Sequence, residues 1–289
     1  MRLHKPAAVA LTAAMALVGT ASAAAAPDWG LDRVDQRNLP LDGAFTPASD
    51  GAGVNIYVVD TGIRASHQVF GGRVRSAHDA TGGTGTEDCY SHGTSVAGIA
   101  AKVATKATIQ AVRAICDSTD IEGALNWIAK NGVKPAVVNV SLGTPASASI
   151  DAATKAVIDA GIPVVVAAGN ESKDACSYSP ARVPAAITVG ASDKKDAGGT
   201  FSNKGTCVDI LAPGVAIPVA TSDSDTSTSV NDGTSEAAPH VAGAVAVYLS
   251  THPKATVTEV WNHLRDSATT GKLTAIGNGT PNRLLYVGK

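Results

Sequence analysis

The chain has 289 residues, a formal net charge of −2, 44% hydrophobic and only 4% aromatic residues. Nearly balanced charge with no basic patch excludes an obvious nucleic-acid partner. After Arg2, His4 and Lys5, an apolar run from Ala7 to Val18 is too short and too alanine-rich to hold a chain in a membrane.

That run ends at Ala21-Ser22-Ala23, a small-residue cleavage signature. Residues 1–26 are therefore expected to be a secretory signal segment, and the protein to be secreted and extracellular. Residues 27–289 suffice for one large domain, with no internal repeat or dividing linker. Ala26 to Leu31 reads as an irregular arm. Val54 to Asp60 is a β-branched run stopped by Thr61-Gly62, the pattern of a buried parallel strand. Gly82 to Ser91 is polar and glycine-rich, hence loop. His92 to Ala104 reads as a helix, Thr108 to Ile115 as a strand, and Ile121 to Lys130 as an amphipathic helix ended by Asn131-Gly132. Further strands are expected over 136–140, 163–168, 185–189 and 208–211, and helices over 150–160, 235–250 and 257–268. The alternation predicts an α/β fold with a mostly parallel central sheet and right-handed crossovers.

Such sheets gather their sites at the carboxyl ends of strands. Asp60, Ser141-Leu142-Gly143 and Gly169-Asn170 fall at three such ends, and His92 and Ser235 at helix starts on the same rim. A serine hydroxyl needs a base within reach to become a nucleophile. His92 has the ordinary pKa for that base, and Asp60 would orient the imidazole. The Ser235 N–H and the Asn170 side-chain amide are the natural oxyanion donors. Each residue alone also has a plain reading: Ser235 a helix cap, Asp60 a strand-end cap, His92 a cap or packing residue, Asn170 a turn residue. His67, His78, His240, His252 and His263 lack comparable context and read as structural. The four cysteines, Cys89, Cys116, Cys176 and Cys207, suggest disulfides in an exported chain, with three pairings open. No C-x-x-C pair supports zinc.

The order Asp60…His92…Ser235 and the segments Val58-Val59-Asp60-Thr61-Gly62, Ser91-His92-Gly93-Thr94, Ala167-Ala168-Gly169-Asn170 and Gly233-Thr234-Ser235 resemble those of the subtilisin-like serine proteases, the subtilases, in their proteinase K branch. Tyr178-Ser179-Pro180-Ala181, Phe201-Ser202-Asn203 and Pro281 to Tyr286 extend the likeness across the mature chain. The resemblance implies a three-layer α/β/α fold and a serine endopeptidase acting on polypeptides as a monomer. It assigns the triad to Asp60, His92 and Ser235 and the oxyanion role to Asn170. Ser141, Leu142, Gly143, Ala167, Ala168 and Gly169 would line the primary specificity pocket, and small residues there leave a slot for a large apolar side chain. It further implies the pairs Cys89–Cys116 and Cys176–Cys207, and a structural calcium ion on the carbonyls of Pro184 and Ala186 and the carboxylate of Asp209.

The chain departs from the family in four places. Glu236 follows the nucleophile where most relatives carry methionine. A carboxylate there either opposes the oxyanion or, pointing outward, favours the helix N-terminus. The loop between Ala101 and Ile109 is shortened, and Asp117-Ser118-Thr119-Asp120 replaces a segment that pairs with substrate backbone. No inhibitory pro-segment is recognisable between the signal and Asp28. Glu236 and the loop after Cys116 motivate an alternative, a subtilase-fold peptide-binding protein with little activity. An esterase is disfavoured because no Gly-x-Ser-x-Gly elbow occurs.

Overall fold

The computed structural model describes residues 28–83 and 87–289; the expected signal segment lies outside them. In chain order the helices are α1 (Trp29–Val34), α2 (His92–Val103), α3 (Ile121–Asn131), α4 (Ala148–Asp159), α5 (Thr234–Thr251) and α6 (Val257–Ser267). The strands are β1 (Asn55–Asp60), β2 (Val74–Asp79), β3 (Thr108–Arg113), β4 (Ala136–Val140), β5 (Thr144–Pro145), β6 (Val164–Ala167), β7 (Tyr178–Ser179), β8 (Ile187–Ser192), β9 (Ile210–Pro213), β10 (Ile217–Ala220), β11 (Thr228–Asn231), β12 (Thr269–Thr270) and β13 (Arg283–Leu284).

Nine strands form one sheet in the order β12-β13-β9-β8-β6-β4-β1-β3-β2, parallel except for the β12–β13 pair. Side chains on a strand alternate between faces, and β1 shows what this does. Ile56 and Val58 enter a core with α2 and α5, while Tyr57 and Val59 enter a second core with α3 and α4. Both faces are thus covered, which is why the central strands are continuous β-branched runs rather than alternating ones. The architecture is the expected three-layer α/β/α fold.

β1 pairs with β3 on one side and β4 on the other. The strand order therefore turns back on itself at β1, and the crevice beyond its carboxyl end is where this class of sheet places a site. Asp60 is the last residue of β1.

The arm expected over Ala26 to Leu31 is instead the short helix α1 from Trp29. The Asp28 carboxylate caps it by accepting the Leu31 N–H at 3.0 Å. The strands expected from 185 and 208 begin two residues later. Each is preceded by a tight turn, Ala186 N–H to Val183 O and Val208 N–H to Gly205 O, that delays entry into the sheet. Helix α4 starts at Ala148 rather than 150, with Ser147 as its cap.

Candidate active site

Asp60 is fully buried. Its Oδ1 accepts two hydrogen bonds, from the Thr61 N–H at 2.8 Å and from His92 Nδ1–H at 2.7 Å. His92 opens α2 directly after Ser91, which sits at φ 64°, ψ −8° in the left-handed region. This sparsely populated conformation for a serine is held by the contact of Ser91 Oγ with Ser222 Oγ at 2.7 Å and by the Ser222 N–H at 3.0 Å. Asp88 accepts from the Thr94 N–H and the Thr61 hydroxyl, placing an anion at the start of α2. Gly93 permits the close approach: a Cβ there would strike the Gly62 carbonyl.

The negative charge of Asp60 raises the His92 imidazole to about 9, outweighing its desolvation; Glu236 and Asp88 push the same way. The ring remains 31% exposed. A partner can therefore reach it from solvent while Asp60 holds it from behind.

Ser235 is the second residue of α5, and Gly233 occupies the cap position. The plain reading of Ser235 as a helix cap is thus replaced by a different arrangement. Its Oγ donates to the Ser141 carbonyl at 3.0 Å, and Ser141 Oγ donates to the Ser235 carbonyl at 2.9 Å. Asn139 Nδ2 in turn donates to Ser141 Oγ at 3.0 Å. This reciprocal pair ties the start of α5 to the end of β4. Among the described residues no hydrogen bond joins Ser235 Oγ to His92, and the Ser235 N–H has no acceptor.

Asn170 follows Gly169, whose φ of 101° suits glycine and whose Cβ position is filled by Asn203 and Glu171. Asn170 Oδ1 accepts from both the N–H and the hydroxyl of Thr234, each at 2.9 Å. The oxygen being engaged, the Nδ2 hydrogens remain for a ligand, and none finds an acceptor among the described residues. Sequence reasoning missed Thr234, although its place beside Ser235 was the available signal.

Ser141, Leu142, Gly143, Ala167, Ala168 and Gly169 all line one cleft of about 360 Å³, together with Asn170 and Ser235. Glu171, Tyr178, Thr144 and Pro145 line it too and were not foreseen. Glu171 reaches it by folding back onto Asn203 Nδ2, 2.7 Å away.

Glu236 does not point outward: it is 3% exposed. Its Oε1 accepts from Asn231 Nδ2 at 3.5 Å, and its Oε2 borders Gly233. Burial raises its carboxyl, while the charge of His92 opposes that rise.

Both expected disulfides are joined, with Cα separations of 6.0 Å for Cys89–Cys116 and 5.3 Å for Cys176–Cys207, leaving no free cysteine. Pro184, Ala186 and Asp209 line a common cleft together with Ile158, Ile187 and Trp261. Asp209 Oδ2 accepts the Thr188 N–H at 2.8 Å, and burial lifts the carboxyl to about 6. A desolvated carboxylate beside backbone carbonyls suits a hard cation, so these residues fit calcium. No group of three or more His, Cys, Asp or Glu able to hold a metal occurs among the described residues; the expected calcium set holds a single carboxylate.

Residues 51–285 match the Subtilase family, and the chain belongs to that family. It is 49% identical over 268 residues to an extracellular serine proteinase of Thermus sp. (strain Rt41A), covering 89% of this chain and 65% of that protein. It is 41% identical to alkaline serine exoprotease A of Vibrio alginolyticus, over 89% of this chain and 50% of that one. The chain thus spans between half and two thirds of these relatives' lengths. In structure it resembles a cold-adapted subtilisin-like serine proteinase, with a TM-score of 0.87 and 41% identity, covering 90% of this chain and 98% of the other. No helix among the described residues is long and apolar enough to cross a membrane.

Proposed function

We propose that this protein is a secreted serine endopeptidase. One observation carries the reading: Asp60, His92, Ser235 and Asn170, remote in sequence, stand on one rim, with the imidazole anchored at 2.7 Å and the Asn170 amide turned by Thr234. Family membership and relatives named as proteinases support it.

The Ser235 hydroxyl turns from the Ser141 carbonyl toward His92 as substrate enters. His92 takes its proton as Oγ attacks the scissile carbonyl carbon. Asp60 keeps Nδ1 protonated, so Nε2 is the basic nitrogen, and stabilises the imidazolium that forms. The oxyanion receives hydrogen bonds from the Ser235 N–H and Asn170 Nδ2, both uncommitted in the resting structure. His92 then protonates the leaving amine, and water resolves the acyl-enzyme by the same steps in reverse.

The cleft lined by Ser141 to Gly143 and Ala167 to Gly169 accepts the side chain before the scissile bond. Its small walls support an apolar preference. Polypeptides are the substrates, with no nucleic-acid or membrane partner, and the enzyme acts as a monomer. Calcium bound by Pro184, Ala186 and Asp209 would stabilise the fold and take no part in the chemistry.

Fluorophosphonate labelling with peptide mapping tests the assignment. Label on Ser235, lost in Ser235→Ala together with casein hydrolysis, is the expected result. A folded wild-type protein that takes no label and cleaves nothing, yet binds peptides, would leave a binding role in its place.

A further inference from the structure

Ser91 stands at the cap position of α2 but does not cap it: its hydroxyl makes no bond to the helix N–H groups. At φ 64° and ψ −8° it lies in the left-handed region, where a Cβ is costly, and the next residue is His92. The hydroxyl turns the other way. Ser222 Oγ lies 2.7 Å from Ser91 Oγ, and the Ser222 N–H donates to it at 3.0 Å. The Ser91 carbonyl is held as well. It accepts the Ser95 N–H at 3.1 Å, and the buried Ser95 Oγ lies 2.9 Å from it and 2.8 Å from the carbonyl of Ala220, the end of β10. Neither Ser91 nor Ser222 lines the cleft that holds Asn170 and Ser235.

We propose that Ser91 and Ser222 are positioning residues of the reaction: the Ser222 loop clamps Ser91 in its left-handed conformation, and that conformation fixes where the His92 ring stands against Asp60. The proposal rests on the proteolytic reading above.

The clamp is anchored independently of His92. Arg64 Nη1 donates to the Ser222 carbonyl at 3.0 Å, and Arg64 Nε pairs with Asp225 Oδ1 at 2.7 Å. Asp225 also accepts the Ser66 hydroxyl at 2.6 Å on its carboxylate and the Gln68 N–H at 2.9 Å on its carbonyl. The Arg64 N–H donates to Thr94 Oγ1, in the first turn of α2, at 2.9 Å. Residues 64–68 thus grip both the Ser222 loop and α2 and keep the two in register. Asp60 holds one edge of the His92 ring at 2.7 Å but not the backbone from which the ring hangs. A residue with a Cβ, freed from the clamp, relaxes to negative φ, and the peptide leading into His92 rotates with it. A displaced ring keeps its charge but loses alignment with the attacking hydroxyl, which costs turnover and not substrate binding.

Ser91→Ala and Ser91→Gly separate conformation from contact. Both delete the hydroxyl and its bonds to Ser222; only alanine keeps the Cβ that the left-handed region disfavours. In Ser91→Ala kcat is expected to fall about tenfold with KM little changed, and Ser91→Gly to recover most of that loss. Ser222→Ala, which keeps its backbone N–H, is expected to lose less, and to add no loss to Ser91→Gly. If Ser91→Ala fails to fold, Ser222→Ala with and without Ser91→Gly carries the same comparison. A purely structural clamp lowers Tm and leaves kcat of the folded variants within about twofold of wild type. That result, or equal losses in Ser91→Ala and Ser91→Gly, overturns the proposal. The His92 Nδ1 proton, followed by NMR, reads the ring without turnover: it shifts in Ser91→Ala and returns toward its wild-type position in Ser91→Gly. If wild type hydrolyses nothing while this proton still behaves so, the positioning stands and the proteolytic reading fails.

Discussion

The Thr234 backbone N–H and hydroxyl both donate to Asn170 Oδ1 at 2.9 Å, one residue before Ser235. The helix that carries Ser235 therefore also sets the rotation of the Asn170 amide, the proposed oxyanion donor. Thr234→Val removes one of the two anchors and leaves the other. We expect kcat to drop about tenfold with KM little changed, because misorientation costs transition-state rather than ground-state binding. Asn170→Ala should cost about 10²–10³-fold in kcat. Equal kcat for Thr234→Val and wild type would show that the backbone anchor alone suffices.

The cleft at Pro184, Ala186 and Asp209 predicts stabilisation by calcium. At a free concentration 100 times Kd, bound calcium contributes about 2.7 kcal/mol, or about 5–10 °C in Tm for a chain this size. Excess chelator should remove that increment, and Asp209→Asn should melt at the chelated temperature with or without calcium. An unchanged Tm in chelator would count against the site.

His240 lies one turn beyond Glu236, and its Nδ1–H donates to the Glu236 carbonyl at 2.8 Å. Its Nε2 is buried without a partner among the described residues, and burial pushes the imidazole down to about 4. An unfolded histidine titrates near 6.5, so between about 6.5 and 4 the unfolded chain holds a proton that the folded chain rejects. Stability from this group is complete above that window and is lost as pH falls through it. His240→Gln should flatten the decline of Tm across that window relative to wild type, whatever its absolute Tm. Parallel Tm–pH curves would assign the acid sensitivity to other groups.

Both methionines of the chain, Met1 and Met15, fall in the expected signal segment, and all four cysteines are paired. Residues 27–289 thus carry neither a thioether nor a free thiol for oxidants. Hydrogen peroxide at millimolar levels should leave kcat/KM unchanged, whereas Glu236→Met should lose activity under the same treatment.

Much of this was readable in advance because the central strands announce themselves. Ile56 to Val59 had to be apolar on both faces, and three of the strands ended at residues with chemistry to offer. The polar and short elements left no such trace. β2 carries Arg75, Ser76 and His78 at the sheet edge, so it lacks an apolar pattern. The β10–β11 hairpin runs through Pro218, Thr228 and Ser229, and α1 is too short for periodicity. The four proposed site residues stood out in the sequence by their immediate neighbours. Their supports were not: the Thr234 grip on Asn170, the Ser141–Ser235 exchange and the inward turn of Glu236 depend on tertiary packing that no local pattern encodes.

The position of β1 between β3 and β4 has a bearing on when the proposed protease would become dangerous to its neighbours. Asp60 meets His92 only after α2 has docked, and Ser235 arrives on a helix made 175 residues after Asp60. Non-local pairings of this kind form late. A chain still emerging, or only partly collapsed, carries every reactive side chain but no working assembly of them. On the proposed proteolytic reading, hydrolytic power would be a property of the finished sheet, and the topology itself would delay self-digestion until little unfolded chain remained to be cut.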